Sequence, residues 1–439
     1  MNHPHDSVQV KVTLSHPLIP THTSERVFLR VDVSAPVAAP SPLDPSAAHP
    51  PTLAPPQPPL DLALVVDRSG SMHGEKLAYA KHAIFGLIDR LLTTDHLSLC
   101  AYDDHVDVIF PRHPVDALVM KANVATVEVR GCTNLSAGLL AGLQQLPAAG
   151  KALRRVLLLS DGLANSGVTD PAGLADLARQ AIGSGRTVST FGVGQDFDED
   201  ALRAIADAGG GSYYYIASPE DIPTIFREEL GELGDVVAQN LTVHFTPLAA
   251  EVVGILGFDG HALPAQAGDV QAGATRSVML ALRLPSTAAG DLVLGDVICR
   301  WTPLETPLEP RETRVEISVL AVDDPARVEA ALDRDVLRAA GLQLAADENK
   351  AAVAAARRGD DAEFCSRLDA AEAALGLLSG DLDEQGHEQS AFISRMRAQG
   401  ATASQADRDL HLTTDWSRYK MRHAKADYRP NAGDRHKDV

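Results

Sequence analysis

Hydrophobic residues alternate with polar ones near the start of the chain: Val8, Val10, Val12 and Leu14, then Val27, Leu29, Val31 and Val33. A period of two marks strands with one buried face. The stretch APVAAPSPLDPSAAHPPTLAPPQPPL, residues 35–60, interrupts the pattern, and its prolines remove backbone donors and favour an extended spacer. Beyond it the rhythm changes. Apolar runs at 62–66, 97–101, 155–160 and 187–193 suit strands buried on both faces. Helical stretches lie between them at 75–91, 135–146, 171–184 and 198–208, and a short strand over 213–216 precedes a capped helix over 219–233. This order predicts a Rossmann-like, doubly wound and mainly parallel sheet covered by helices, over residues 61–234.

Alternation then returns without helices, in Val278, Leu280, Leu282 and Leu284 and in Val315, Ile317 and Val319, which predicts a β-sandwich over 235–322. Two strands alone are barely stable, so residues 1–34 are expected to join that sandwich and make the α/β domain an insertion within it. Val328, Leu332, Val336, Ala340 and Leu344 recur at helical spacing, as do Phe364, Leu368, Ala371 and Leu375; an antiparallel helical hairpin is expected over 323–398. Residues 399–439 read as a polar, slightly basic tail, either disordered or docking.

Composition narrows the functions. A net charge of -20, from 59 acidic and 39 basic residues, argues against a general binder of nucleic acid or anionic membrane. The N-terminus has no signal-peptide pattern and no run approaches the roughly 20 apolar residues of a membrane span, so a cytoplasmic protein is expected. Cys100, Cys132, Cys299 and Cys365 form no CxxC pair and read as buried free thiols.

The candidate chemistry begins at ALVVDRSGSMHGEK, residues 63–76, where an apolar strand stops at Asp67. A phosphate-cradling Walker A loop fails here: Gly70 and Gly74 are too close, and Glu75 precedes Lys76. A dinucleotide fingerprint at 191–197 fails because Phe197 occupies the third glycine position. Oxygen donors remain. Asp67, Ser69 and Ser71 follow one strand, Asp161 follows the strand RRVLLLS, and Thr133 opens a helix between them. Parallel strands end on one edge, so these groups can converge there. Two carboxylates and three hydroxyls suit Mg²⁺, with Mn²⁺ or Ca²⁺ as alternatives. The competing reading makes the three hydroxyls helix caps.

Residues 60–234 resemble the von Willebrand factor type A domain, and Asp67, Ser69, Ser71, Thr133 and Asp161 match its metal-ion-dependent adhesion site in order. The resemblance, to the bacterial intracellular type, implies that hydroxyls contact the metal directly or through water, and that the aspartates act mostly through water. It also implies a position left for a partner's Asp or Glu, and hence an adaptor or scaffold rather than an enzyme. Metal binding is expected to be weak alone, roughly 10⁻⁴ to 10⁻³ M by analogy with low-affinity calcium sites. AAA+ ATPase, kinase or phosphatase systems are the companions the resemblance suggests. Self-assembly through the metal site and C-terminal region is the alternative, and a metal-dependent hydrolase the weaker one. The last helix of the domain, 219–233, feeds directly into the sandwich, which suggests ligand-coupled movement. His73 and Glu75 read as a polar first turn facing water, Lys76 as helix surface, Asp103 and Asp104 as solvated loop acids with electrostatic tuning of the site as the alternative, and Cys132 as a small packing residue.

Overall fold

The burial of alternate residues sorts the first strands onto two sheets. The computed structural model describes residues 8–35, 59–148, 152–161, 164–182, 184–193, 198–216, 225–226, 229–230, 236–257, 263–304, 309–377 and 384–399. The proline-rich spacer and the polar tail lie outside these, as does most of the stretch 219–233 expected to be helical; Ile225, Phe226, Glu229 and Leu230 are its described residues, and all four are helical.

Strands β1 (Gln9–Leu14) and β3 (Arg26–Ser34) pair antiparallel, and β3 continues onto β13 (Thr275–Arg283), which pairs with β11 (Glu251–Leu256). The second sheet runs β12 (Ala265–Gln271), β10 (Val236–Pro247), β14 (Gly290–Pro303), β15 (Arg311–Val322) and β2 (Leu18–Pro20). Val31, Leu280, Val243, Val297 and Val319 meet in one core between the two sheets. The N-terminal strands therefore contribute to both layers of a sandwich, and the α/β domain is inserted between β3 and β10.

The inserted sheet has six strands in the order β6 (Val106–Pro114), β5 (His96–Tyr102), β4 (Leu60–Asp67), β7 (Leu153–Ser160), β8 (Thr187–Val193) and β9 (Gly210–Ile216). All neighbours are parallel except β5 and β6. In β4, Leu62, Leu64 and Val66 face a core built with α1 (Glu75–Ile88) and α2 (Ala117–Ala125). Ala63 and Val65 face the opposite core, with α3 (Leu135–Gln145), α4 (Pro171–Ile182) and α5 (Glu199–Ala208). Two-sided burial is why the strand sequence shows no alternation.

The C-terminal helices depart from the expected hairpin in two ways. The helical repeat through Val328 and Val336 is split into α6 (Pro325–Ala330) and α7 (Arg334–Arg357), because the Asp333 side chain accepts from the Val336 amide and caps a new helix. After α8 (Asp361–Leu375) a third helix, α9 (Glu384–Gln399), adds Phe392, Ile393 and Met396 to the core between α7 and α8. Val336, Leu337 and Ala340 of α7 lie on Phe28, Met279 and Ala281, so the helices cover the outer face of the four-stranded sheet.

Candidate metal centre

Strand register gathers the candidate residues. Asp67 pairs across to Tyr102 on β5, and on the other side Val66 pairs with Leu159, which places Ser160 and Asp161 beside Asp67. Asp67 and Asp161 are fully buried, and Ser69 and Thr133 nearly so. The loop that carries Thr133 is stitched to this edge by backbone bonds: Arg130 N–H to Arg68 O at 2.7 Å, Gly70 N–H to Gly131 O at 3.1 Å, and Asn134 N–H to Asp103 O at 2.9 Å. On the far side, the Asn165 and Ser166 amides both donate to Thr133 O at 3.1 Å. All five sequence candidates therefore sit on the C-terminal edge around β4.

Asp67 is held before any ligand arrives. Its Oδ1 accepts from the Ser69 amide at 2.8 Å; its Oδ2 accepts from Ser160 Oγ at 2.6 Å and Tyr102 OH at 3.3 Å. Burial pushes the Asp67 carboxyl above its usual range, the Ser160 and Ser69 bonds pull it back, and the Asp161 charge adds to the rise. Burial and the Asp67 charge raise Tyr102 well above the usual phenol range, so it remains a donor. Sequence spacing did not pick out Ser160 and Tyr102, the two hydroxyls that hold Asp67; the register beside Asp67 is the signal that finds them.

The hydroxyls are not spent on capping. Ser69 stands before a 3-10 turn, Gly70–Met72, with no side-chain cap bond, and Ser69 Oγ lies 3.1 Å from Ser71 Oγ. Gly74 precedes α1, and Asn134, not Thr133, caps α3 by accepting from the Ala137 amide. Of the two glycines in the loop, Gly74 alone is in the left-handed region, with φ 81°, so Gly70 is not required for that turn conformation. A cation between such hydroxyls and buried carboxylates meets only hard oxygen donors, which fits Mg²⁺, Mn²⁺ or Ca²⁺.

Three expectations about neighbouring residues are corrected. Lys76 is not a plain helix-surface residue: its Nζ donates to Asp161 Oδ2 at 3.1 Å. Asp103 is not a solvated loop acid but is fully buried, and its Oδ2 accepts from Arg68 Nε at 2.7 Å and Arg130 Nε at 2.8 Å, while Asp104 stays exposed. Asp103, Asp104 and His105 bring their ligand atoms within 4.8 Å of one another, but the oxygens of Asp103 are already engaged by the two arginines and the His105 amide. Cys132 is exposed rather than packed, as is Cys365, while burial raises the Cys100 and Cys299 thiols to about 11 and about 12.

Burial pulls the Asp103 carboxyl up, yet the His105 amide and the Arg130 and Arg68 guanidiniums outweigh it and hold it at about 2, below the ordinary 3.8. A depressed carboxyl contributes stability that is full above its unfolded value and lost as pH falls through the folded one. Urea unfolding between about pH 4 and about pH 2 should therefore show a loss that Asp103→Asn removes.

The fold and the edge chemistry define a class. Residues 61–228 are a von Willebrand factor type A domain. Among relatives, the chain is 31% identical over 262 residues to the uncharacterized protein sll0103 of Synechocystis sp. (strain ATCC 27184 / PCC 6803 / Kazusa), a match covering 55% of this chain and 61% of that protein. It is 26% identical over 242 residues to the uncharacterized protein YfbK of Escherichia coli (strain K12), covering 51% of this chain and 42% of that one. The chain thus spans only about half the length of these curated relatives. A von Willebrand factor type A structure from Catenulispora acidiphila superposes with a TM-score of 0.68 at 17% identity, covering 94% of this chain and 96% of that chain, so the likeness in fold extends through the sandwich and helices. Among the described residues no helix is long and apolar enough to cross a membrane.

Proposed function

We propose that this chain is a metal-dependent protein-interaction module, in which a divalent cation at the β4 edge grips an acidic side chain of a protein partner. One observation carries the reading: five oxygen-bearing side chains, Asp67, Ser69, Ser71, Thr133 and Asp161, share one strand edge, with hydroxyls left uncommitted to helix capping. Ser69, Ser71 and Thr133 would hold the ion directly or through water. Asp67 and Asp161 would supply the negative charge, Asp67 with its orientation already fixed by Ser69, Ser160 and Tyr102. Mg²⁺ is the ion assigned, since it keeps several waters and binds through one or two carboxylates. The bound ion supplies local positive charge, which a chain of net charge -20 needs in order to attract a carboxylate.

Mn²⁺ titration by calorimetry tests the site. Wild type should bind, and both Thr133→Ala and Asp161→Ala should lose at least about tenfold in affinity, roughly the 1.4 kcal/mol of one charge-assisted contact. Affinity purification in Mg²⁺ should retain acidic-motif proteins that EDTA and Asp161→Ala both release. Equal retention under all three conditions would sink the reading.

A further inference from the structure

The geometry points to Lys76 as a tethered cation that competes with the metal for Asp161 and so sets how tightly the site holds its ion. The inference rests on the metal reading above. Lys76 lies in the first turn of α1, where the helix dipole disfavours a positive charge. It nevertheless reaches across the edge to β7, placing Nζ 3.1 Å from Asp161 Oδ2. The Lys76 side chain is 21% exposed, whereas the carboxylate it meets is buried at 0%.

The two aspartates are held differently. Asp67 receives its bonds from an amide and two hydroxyls, all neutral donors compatible with a nearby cation. Asp161 receives an ammonium, which is not. A dication held by Ser69, Ser71, Thr133 and these carboxylates would have the Lys76 ammonium for a neighbouring like charge. In so buried an edge, Coulomb repulsion between the two would favour movement of the ammonium away from the ion. Lysine carries its charge on a flexible four-carbon stem, and this one already touches solvent, so it can swing away.

Two consequences follow. Before an ion binds, Lys76 neutralises part of the buried negative charge and stabilises the edge. When an ion binds, the displaced ammonium becomes available at the rim, where an incoming partner carboxylate can take it up. Metal and acidic ligand then favour one another by linkage. Asp161 is thus the exchangeable carboxylate and Asp67 the fixed one.

The test uses the full chain and Mn²⁺ alone as probe, followed by calorimetry and by electron paramagnetic resonance of the free ion. Lys76→Met should tighten Mn²⁺ binding by about tenfold or more, and Lys76→Arg, which keeps the charge, should not. The methionine variant should also melt lower than wild type without metal and regain the difference in saturating Mg²⁺. If Lys76→Met binds as weakly as wild type, or more weakly, while Asp67→Ala abolishes binding, the competition is overturned and the metal reading stands. If neither wild type nor Lys76→Met binds, both fall. Should the methionine variant not fold, Lys76→Gln carries the same comparison.

Discussion

Replacing Arg155 by methionine should cost the fold about 3–5 kcal/mol, the loss expected when one partner is removed from a buried ion cluster. Arg155 lies near the start of β7 and is 4% exposed; its Nη1 donates to Glu229 Oε1 at 2.8 Å and its Nη2 to Asp269 Oδ2 at 3.0 Å. Glu229 belongs to the last helix of the α/β domain and Asp269 to β12 of the sandwich, so one guanidinium ties the two domains together. Thr187 accepts from Nε at 2.8 Å, and Ser189 donates to Glu229 Oε1 at 2.8 Å, which fixes the geometry. Without the arginine, two buried carboxylates lose the guanidinium they share, and Glu229 keeps the Ser189 hydroxyl while Asp269 keeps the Asn240 amide and the charge of Arg276. Urea unfolding should show the loss, and the sandwich and α/β transitions should separate.

The pH dependence of that variant has a definite sign. Burial already raises the Asp269 carboxyl, with Arg155 and Arg276 pulling it down. Removing Arg155 raises it further. A carboxyl whose folded value exceeds its unfolded one destabilises the fold as pH rises through that range, so the variant should recover on acidification from neutral pH towards about pH 5. A triple variant with Glu229→Gln and Asp269→Asn should be less destabilised than the single one, because no buried carboxylate is then left without the Arg155 guanidinium.

Gly138→Val should destabilise the protein by about 1–3 kcal/mol and weaken Mn²⁺ binding in the same step. A Cβ at Gly138 would fall 2.6 Å from the Tyr102 ring, which is completely buried, so either α3 or the ring must move. Thr133 lies just before α3, and Tyr102 donates to Asp67, so both movements reach the site. Even Gly138→Ala should destabilise, although alanine is favoured over glycine inside a helix by about 1 kcal/mol. Tyr102→Leu would remove the obstructing ring, and a double-mutant cycle should report that coupling while Mn²⁺ titration follows the site.

How much of this was legible in the sequence depends on the range of the interaction. The parallel strands were readable because burial on both faces leaves an unbroken apolar run, as in Leu62–Val66. That Asp67, Ser69, Ser71, Thr133 and Asp161 share one edge was readable because parallel strand ends bring a spaced oxygen pattern together there. Strand β6 was not, since VDVIFPRHP is an antiparallel edge strand with most of its residues partly or fully exposed. Nor was α2, which leaves Leu118 and Val119 exposed and so lacks a clean apolar stripe. Arg155 finds its partners 74 and 114 residues away, beyond any local spacing rule. Lys76 looked like helix surface because its partner follows a different strand.

The Arg155 cluster also gives physical content to the coupling expected of the 219–233 segment. A shift of Glu229 would disturb its contact with Arg155, the same guanidinium that holds Asp269 of the sandwich.

The insertion between β3 and β10 also sets an order for synthesis. Strand β3 emerges from the ribosome early, but its partner β13 follows only after the entire α/β domain has been made. Until then β3 has β1 on one side and an open row of amides and carbonyls on the other. The α/β domain can fold on its own nearby contacts in that interval. By closing on itself it returns the chain to the place where β3 waits. Closure of the inserted domain thus brings β10 and the strands after it back beside β3, across the whole length of the insertion.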